Sequence, residues 1–275
     1  MYDKIVTEPQ DMRYLSWAKI RNSSGTAGSF LKAYDEFGAK KRYYKLSNFN
    51  PGLGFTGHEC INEIIADRLL TILGVPHLEY SLIHANIVVD EQAYDTYLCM
   101  SYDFKEPGES KLALDTYYEL NRRPGEGMLN FCIRQGWEQY IYQMLVVDYL
   151  IFNRDRHGAN IEVLRNSRKQ TLRLAPLFDH GLSFVCSCTT EAALAKFDVL
   201  REGPAQCCVG SNSTLENLHL IPQGSHPSLN PLRESDREVL MAGLEGILPS
   251  PWQEKIWEML WQRWRVYEGI CNQKR

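Results

Sequence analysis

Asn153-Arg154-Asp155-Arg156-His157-Gly158-Ala159-Asn160 is the densest polar stretch in the chain, and it follows directly on an apolar run at residues 140–152. Within it Asp155 and Asn160 stand as D-x-x-x-x-N. That is the spacing by which a phosphoryl-transfer loop holds a base for the acceptor hydroxyl and an amide oxygen for Mg²⁺. Alone, such a pair is usually a helix-end turn whose side chains cap backbone amides. What changes the reading is Phe178-Asp179-His180-Gly181, which follows two strand-like runs at residues 161–164 and 171–174. An Asp at the end of that hairpin can place its carboxylate beside Asn160 on one hard ion, which takes one or two protein oxygens and the rest from phosphate and water. His157 has two readings, a catalytic group or a structural donor to backbone carbonyls.

Upstream, short β-forming runs at residues 29–34 and 42–46 suggest an antiparallel meander. Lys45, in Tyr43-Tyr44-Lys45-Leu46, sits among aromatics on the second run, where an inward lysine is costly unless it meets an anion. Residues 58–73 carry Ile61, Ile64, Ile65, Ala66, Leu69, Ile72 and Leu73 at helical spacing, with Gly74 as C-cap and Pro76 beyond. Glu63 on this helix is a partner for Lys45, and Glu59, one turn earlier, competes for the role. A strand lysine held by a helix glutamate and aimed at phosphates is a recurring kinase device. The plainer alternative is an edge-strand lysine and a solvated glutamate. Two glycine runs, residues 22–28 and 51–57, are candidates to fold backbone N–H groups over phosphates. The first fits the order of elements better, because Lys45 lies after it.

The rest of the chain sets bounds. At 275 residues with 44% hydrophobic and 23% charged composition, it has the length and make-up of one large or two closely packed globular lobes. Thirty Lys+Arg against 34 Asp+Glu give a net charge of −4, which offers no general attraction for nucleic acid or anionic lipid. The apolar run 140–152 is interrupted by Gln143 and Asp148 and is too short to span a bilayer, so it reads as a buried helix. The first residues lack the charged-then-apolar layout of a secretion signal, and a cytoplasmic protein with free thiols is expected. Three more strand-like runs, at 78–84, 86–89 and 94–100, lead into the turn-rich Glu106-Pro107-Gly108-Glu109, taken as the boundary between lobes 1–105 and 106–275. Residues 185–232 have no clear periodicity, and their Cys186, Cys188, Cys207, Cys208, His219 and His226 match no zinc-site spacing. Helices are expected at 235–248 and 251–271, the latter carrying Trp252, Ile256, Leu260 and Trp264 as a core stripe.

With these residues in place, the chain resembles the HipA-like kinases, bacterial serine/threonine kinases related in architecture to the phosphoinositide 3-/4-kinase superfamily. The resemblance runs from about residue 23 to residue 184 and rests most on Asn153-Arg154-Asp155-Arg156-His157-x-x-Asn160 and Leu174-Ala175-Pro176-Leu177-Phe178-Asp179. It implies an α+β, bilobal protein-kinase-like fold, with a β-rich N-lobe carrying one main helix and a mostly helical C-lobe. It also implies ATP and Mg²⁺ as cofactors. By the same likeness Ser24, Gly25, Thr26 and Gly28 would form the Gly-rich loop, Lys45 and Glu63 the ATP lysine and its partner, and Met100 and Tyr102 would offer hinge backbone to adenine. Asp155 would be the base, with His157 beside it, and Asn160 and Asp179 the metal ligands. Because the glycine loop begins so early, a short stand-alone core without the extra N-terminal subdomain of the long HipA proteins is expected.

The expected activity is therefore that of a serine/threonine protein kinase, autophosphorylating on Ser23, Ser24 or Thr26, with a Ser/Thr-bearing protein substrate. An antitoxin-like regulator is the partner the resemblance implies; direct nucleic-acid and membrane contacts are not expected. Two other functions use the same residues: transfer to a small-molecule or lipid hydroxyl, and nucleotide binding without catalysis.

Overall fold

Alternation along one strand decides which side chains reach the site. A computed structural model of the chain describes residues 4–18, 30–38, 40–50, 52 and 54–273. The N-terminal region supplies β1 (Ile5–Asp11), β2 (Lys32–Asp35), β3 (Arg42–Leu46), the small pair β4 (Phe49–Asn50) and β5 (Gly54–Phe55), helix α1 (Glu59–Leu73), and the hairpin β6 (Ser81–Val89) and β7 (Gln92–Tyr102). Five strands form one sheet in the order β1-β6-β7-β3-β2, with β1 parallel to β6 and the other neighbours antiparallel. On β3, Tyr44 and Leu46 are buried with Ile83, Ala85, Ile87 and Leu98 on one face. The two-residue period of a strand turns Lys45 and its cross-strand partner Cys99 to the opposite face, where α1 packs.

Helix α1 ends as its spacing predicts. Gly74 has φ 74°, and its N–H reaches the carbonyls of Leu70 and Thr71, a left-handed cap that glycine adopts without a Cβ penalty. The strand readings at 78–84 and 86–89 need correction, since β6 runs unbroken from Ser81 to Val89. Ala85 is small but fully buried in line with Ile83 and Ile87, so it continues the inward face rather than ending it. Asp90 and Glu91, at φ 49° and 66°, then make the tight turn into β7 whose twist suits a hairpin. Strand β1 went unread in the polar N-terminus; its residues are largely exposed, and its backbone pairing with β6 places it.

The C-terminal part contains β8 (Ser110–Ala113), α2 (Leu114–Asn121), α3 (Met128–Arg134), α4 (Glu138–Leu150), β9 (Asp155–Arg156), β10 (Glu162–Asn166), β11 (Thr171–Leu174), α5 (Glu191–Ala195), β12 (Gln206–Cys207), α6 (Thr214–Leu218), α7 (Asp236–Met241) and α8 (Ser250–Gln273). The predicted hairpin is present as β10 and β11, and β8 joins it as a third strand. The helix expected over 235–248 stops at Met241, because Gly243 and Gly246 take φ 71° and 78°. Trp252, Ile256, Leu260 and Trp264 are buried, so the aromatic stripe of α8 is core. Arg263 beside it is fully buried and donates to the carbonyls of Tyr149, Val199 and Arg201, at 3.0, 2.9 and 2.7 Å. No helix among the described residues is long and apolar enough to cross a membrane.

Candidate active site

Lys45 stands between two carboxylates. Its Nζ lies 3.0 Å from Glu63 Oε1 on α1 and 2.5 Å from Asp179 Oδ1, and only 12% of its side chain is exposed. Burial opposes the ammonium charge, but Asp179 and Glu63 outweigh it and hold the lysine pKa well above its usual value. Burial likewise works against the Asp179 carboxylate, and Lys45 overcomes it, keeping Asp179 ionised far below the ordinary carboxylate range. Of the two helix glutamates, Glu63 meets Lys45, whereas Glu59 accepts the backbone N–H of Asn48 at 3.0 Å. The i, i+4 spacing put both on one side of α1, and the register of β3 separates them.

The segment around Asp179 is held from α1. Glu63 Oε2 accepts the His180 N–H at 2.9 Å, and Asn62 Nδ2 donates to the carbonyls of Gly181 and Ser183 at 2.8 and 3.2 Å. Asp179 itself has φ 61°, a conformation a non-glycine residue keeps only when its surroundings impose it. A Cβ on Gly181 would come within 3.1 Å of Glu59 Cβ and 3.2 Å of Lys45 Nζ, so the glycine is needed for close packing. His180 is buried; burial first, and then the Arg156 charge, push its pKa well below the usual value of 6.5. The unfolded chain therefore takes up that proton first. Stability should be complete above about pH 6.5 and fall below it, by up to about 1.4 kcal/mol per pH unit for this group. Urea midpoints between pH 8 and pH 5 check this: His180→Gln should flatten the profile, and a variant as steep as the wild type would contradict it.

The loop carrying Asp155 rests on a buried ion pair that the sequence reading missed. Asp148, near the end of α4, receives Arg156 Nε and Nη2, each at 2.9 Å, and Asn153 Nδ2, also at 2.9 Å. Arg156, 1% exposed, also donates to the Phe178 carbonyl at 2.9 Å, joining this loop to the residue before Asp179. Asn160 Nδ2 donates to the Asp155 carbonyl at 2.7 Å, and its Oδ1 accepts no hydrogen bond among the described residues. A readable signal did exist: an Asp inside an otherwise apolar helix must find a partner. From the unread stretch after residue 185, β12 pairs in parallel with β9, so that segment braces the loop. Asp155 is one-third exposed, and His157 Nε2 approaches its Oδ1 at 3.6 Å.

Between these pieces lies a cavity of about 200 Å³ whose lining includes Lys32, Lys45, Cys99, Tyr102, Asn160 and Asp179. Met100 does not line it; that side chain packs on the other face of the sheet with Tyr44 and Leu98. Asp155 and His157 stand outside the lining. Ser24, Gly25, Thr26 and Gly28 lie outside the described residues, as do Pro51 and Leu53 of the second glycine run. Among the described residues no three His, Cys, Asp or Glu side chains cluster as a metal site.

No protein-family model matches the chain, and no curated protein matches it. Among solved structures, it is similar to the Helicobacter pylori proinflammatory kinase CtkA, with 14% identity over 93% of each chain and a TM-score of 0.58. Weaker likenesses are to a structure of the Shewanella oneidensis MR-1 toxin–antitoxin system HipA, HipB and its operator DNA (16% identity, 94% of this chain and 60% of that chain, TM-score 0.41) and to the Golgi casein kinase (12%, 94% and 73%, TM-score 0.42). The likeness to CtkA establishes that this chain, with its β-rich N-terminal region and helical C-terminal part, has a kinase-like fold.

Proposed function

We propose that the chain is an ATP- and Mg²⁺-dependent phosphotransferase acting on serine or threonine hydroxyls of proteins, itself included, with residues 1–105 as the nucleotide lobe and 106–275 as the acceptor lobe. The observation that carries this reading is Lys45, fixed by Glu63 and facing Asp179 in a cavity that also holds Asn160. Lys45 binds nucleotide phosphate, and Glu63 keeps it oriented. The donor set fits a hard ion: Asp179 offers an ionised carboxylate, and Asn160 an amide oxygen with no other partner among the described residues. Mg²⁺ there would neutralise charge on the phosphates. Asp155, outside the cavity and partly exposed, meets the acceptor hydroxyl and takes its proton. His157 limits how the Asp155 carboxylate turns.

Asp179 has two uses on this account, as partner of Lys45 without ligand and as ligand oxygen with it. Asp179→Ala should weaken Mg·ATP binding by at least about tenfold. Titration calorimetry with Mg·ATP checks this, and an unchanged affinity would remove Asp179 from the ligand set.

A further inference from the structure

Lys32 occupies a place that the device of one lysine and one glutamate does not explain. It lies on β2 directly opposite Lys45 on β3, and the next pair along, Ala33 and Tyr44, is buried on the other face of the sheet. Lys32 and Lys45 thus stand side by side on one face, and both line the cavity. Two like charges directly opposite on neighbouring strands repel unless an anion stands by them. The carboxylates nearby are engaged elsewhere. Glu63 and Asp179 both pair with Lys45, and Glu162 pairs with Lys111 at 2.7 Å. Lys32 has no ion-pair partner among the described residues, yet it is close enough to help hold Asp179 ionised. With Glu63 behind the lining counted, the charged groups here are Lys32, Lys45 and Lys111 against Glu63, Glu162 and Asp179, or 3 − 3 = 0, and Lys32 is the one cation of the three without an ion-pair partner of its own among the described residues.

We propose that Lys32 is a second phosphate-binding lysine of this cavity. Together with Lys45 it grips the polyphosphate of a nucleoside di- or triphosphate, and the ligand's negative charge relieves the repulsion between the two. When Asp179 turns from Lys45 to other work, both ammonium groups meet phosphate oxygens, and ordered phosphate replaces the carboxylate as their common counter-charge. This rests on the nucleotide-binding reading above and adds a residue and a preference for ligands with long phosphate chains.

The test compares wild type, Lys32→Gln and Lys32→Arg in titrations with Mg·ATP, Mg·ADP and adenosine, together with thermal melting without nucleotide. Lys32→Gln should weaken Mg·ATP by about tenfold and Mg·ADP by less, and leave adenosine unchanged. Lys32→Arg should bind Mg·ATP within about threefold of wild type, since it keeps the charge. Without nucleotide, Lys32→Gln should melt within about 2 °C of wild type, since the repulsion from Lys45 and the attraction to Asp179 are lost together. If Lys32→Gln binds Mg·ATP as wild type does while Asp179→Ala does not, Lys32 is only a solvated surface cation, and the phosphotransferase reading survives without it. Equal losses for adenosine and ATP would mean a damaged fold rather than a lost phosphate contact, and would overturn the proposal. A wild type that binds neither nucleotide would overturn both.

Discussion

Asp155→Asn should cut phosphoryl transfer by about a thousandfold and leave Mg·ATP affinity within about twofold of wild type. The substitution changes little else. The Asp155 backbone N–H donates to Asn153 Oδ1 at 3.2 Å, its carbonyl accepts from Asn160 at 2.7 Å, and β9 keeps its pairing with β12. An amide of the same shape disturbs none of these contacts, but it cannot accept a proton. Because Asp155 does not line the cavity, nucleotide binding should be spared. Single-turnover transfer from labelled ATP, set beside calorimetry, separates the two quantities. Equal turnover in the variant would remove Asp155 from the chemistry, and a parallel loss of binding would make it a scaffold residue instead.

The second large effect is on stability. Asp148→Ala should destabilise the fold by about 3–5 kcal/mol, a large share of the roughly 5–15 kcal/mol that holds a typical domain together. Arg156 is buried; burial works against its charge, but Asp148 holds it protonated, so the variant strands a cation without its carboxylate. Asn153 loses the same acceptor. Because Arg156 also holds the Phe178 carbonyl beside Asp179, whatever fraction remains folded should bind Mg·ATP less well. Asp148→Asn, which keeps an acceptor oxygen in place, should cost less. Urea unfolding of the three proteins measures this directly, and a cost below about 1 kcal/mol for Asp148→Ala would show that solvent or a rearranged partner reaches Arg156.

Where side-chain period and chemistry agreed, the sequence was readable. Helix α1 and its glycine cap follow from apolar spacing, and an inward lysine on an aromatic strand pointed to a glutamate of that helix, where Glu63 rather than Glu59 meets it; the contact of Lys45 with Asp179 was not read. What was lost depends on contacts distant in the chain. Asp148 looked like a flaw in an apolar helix, though its partner Arg156 lies only eight residues on, because the partner's direction is set by β9 and not by periodicity. β12 is two residues long and carries no strand signal of its own; it exists because β9 offers it a backbone to pair with. Lys32 sits in plain view, but its pairing opposite Lys45 depends on strand register, which a meander with charged turns does not fix.

Phosphoryl transfer can be read by incubating the purified chain, and separately its Asp155→Asn and Asp179→Ala variants, with γ-labelled ATP and Mg²⁺, then mapping the label by mass spectrometry. Phosphate is expected on serine or threonine in the wild type, with Ser23, Ser24 and Thr26 as the first sites to examine, and none in either variant. Intact ATP and no phosphate on the chain, on added protein substrates or on a metabolite pool would contradict it.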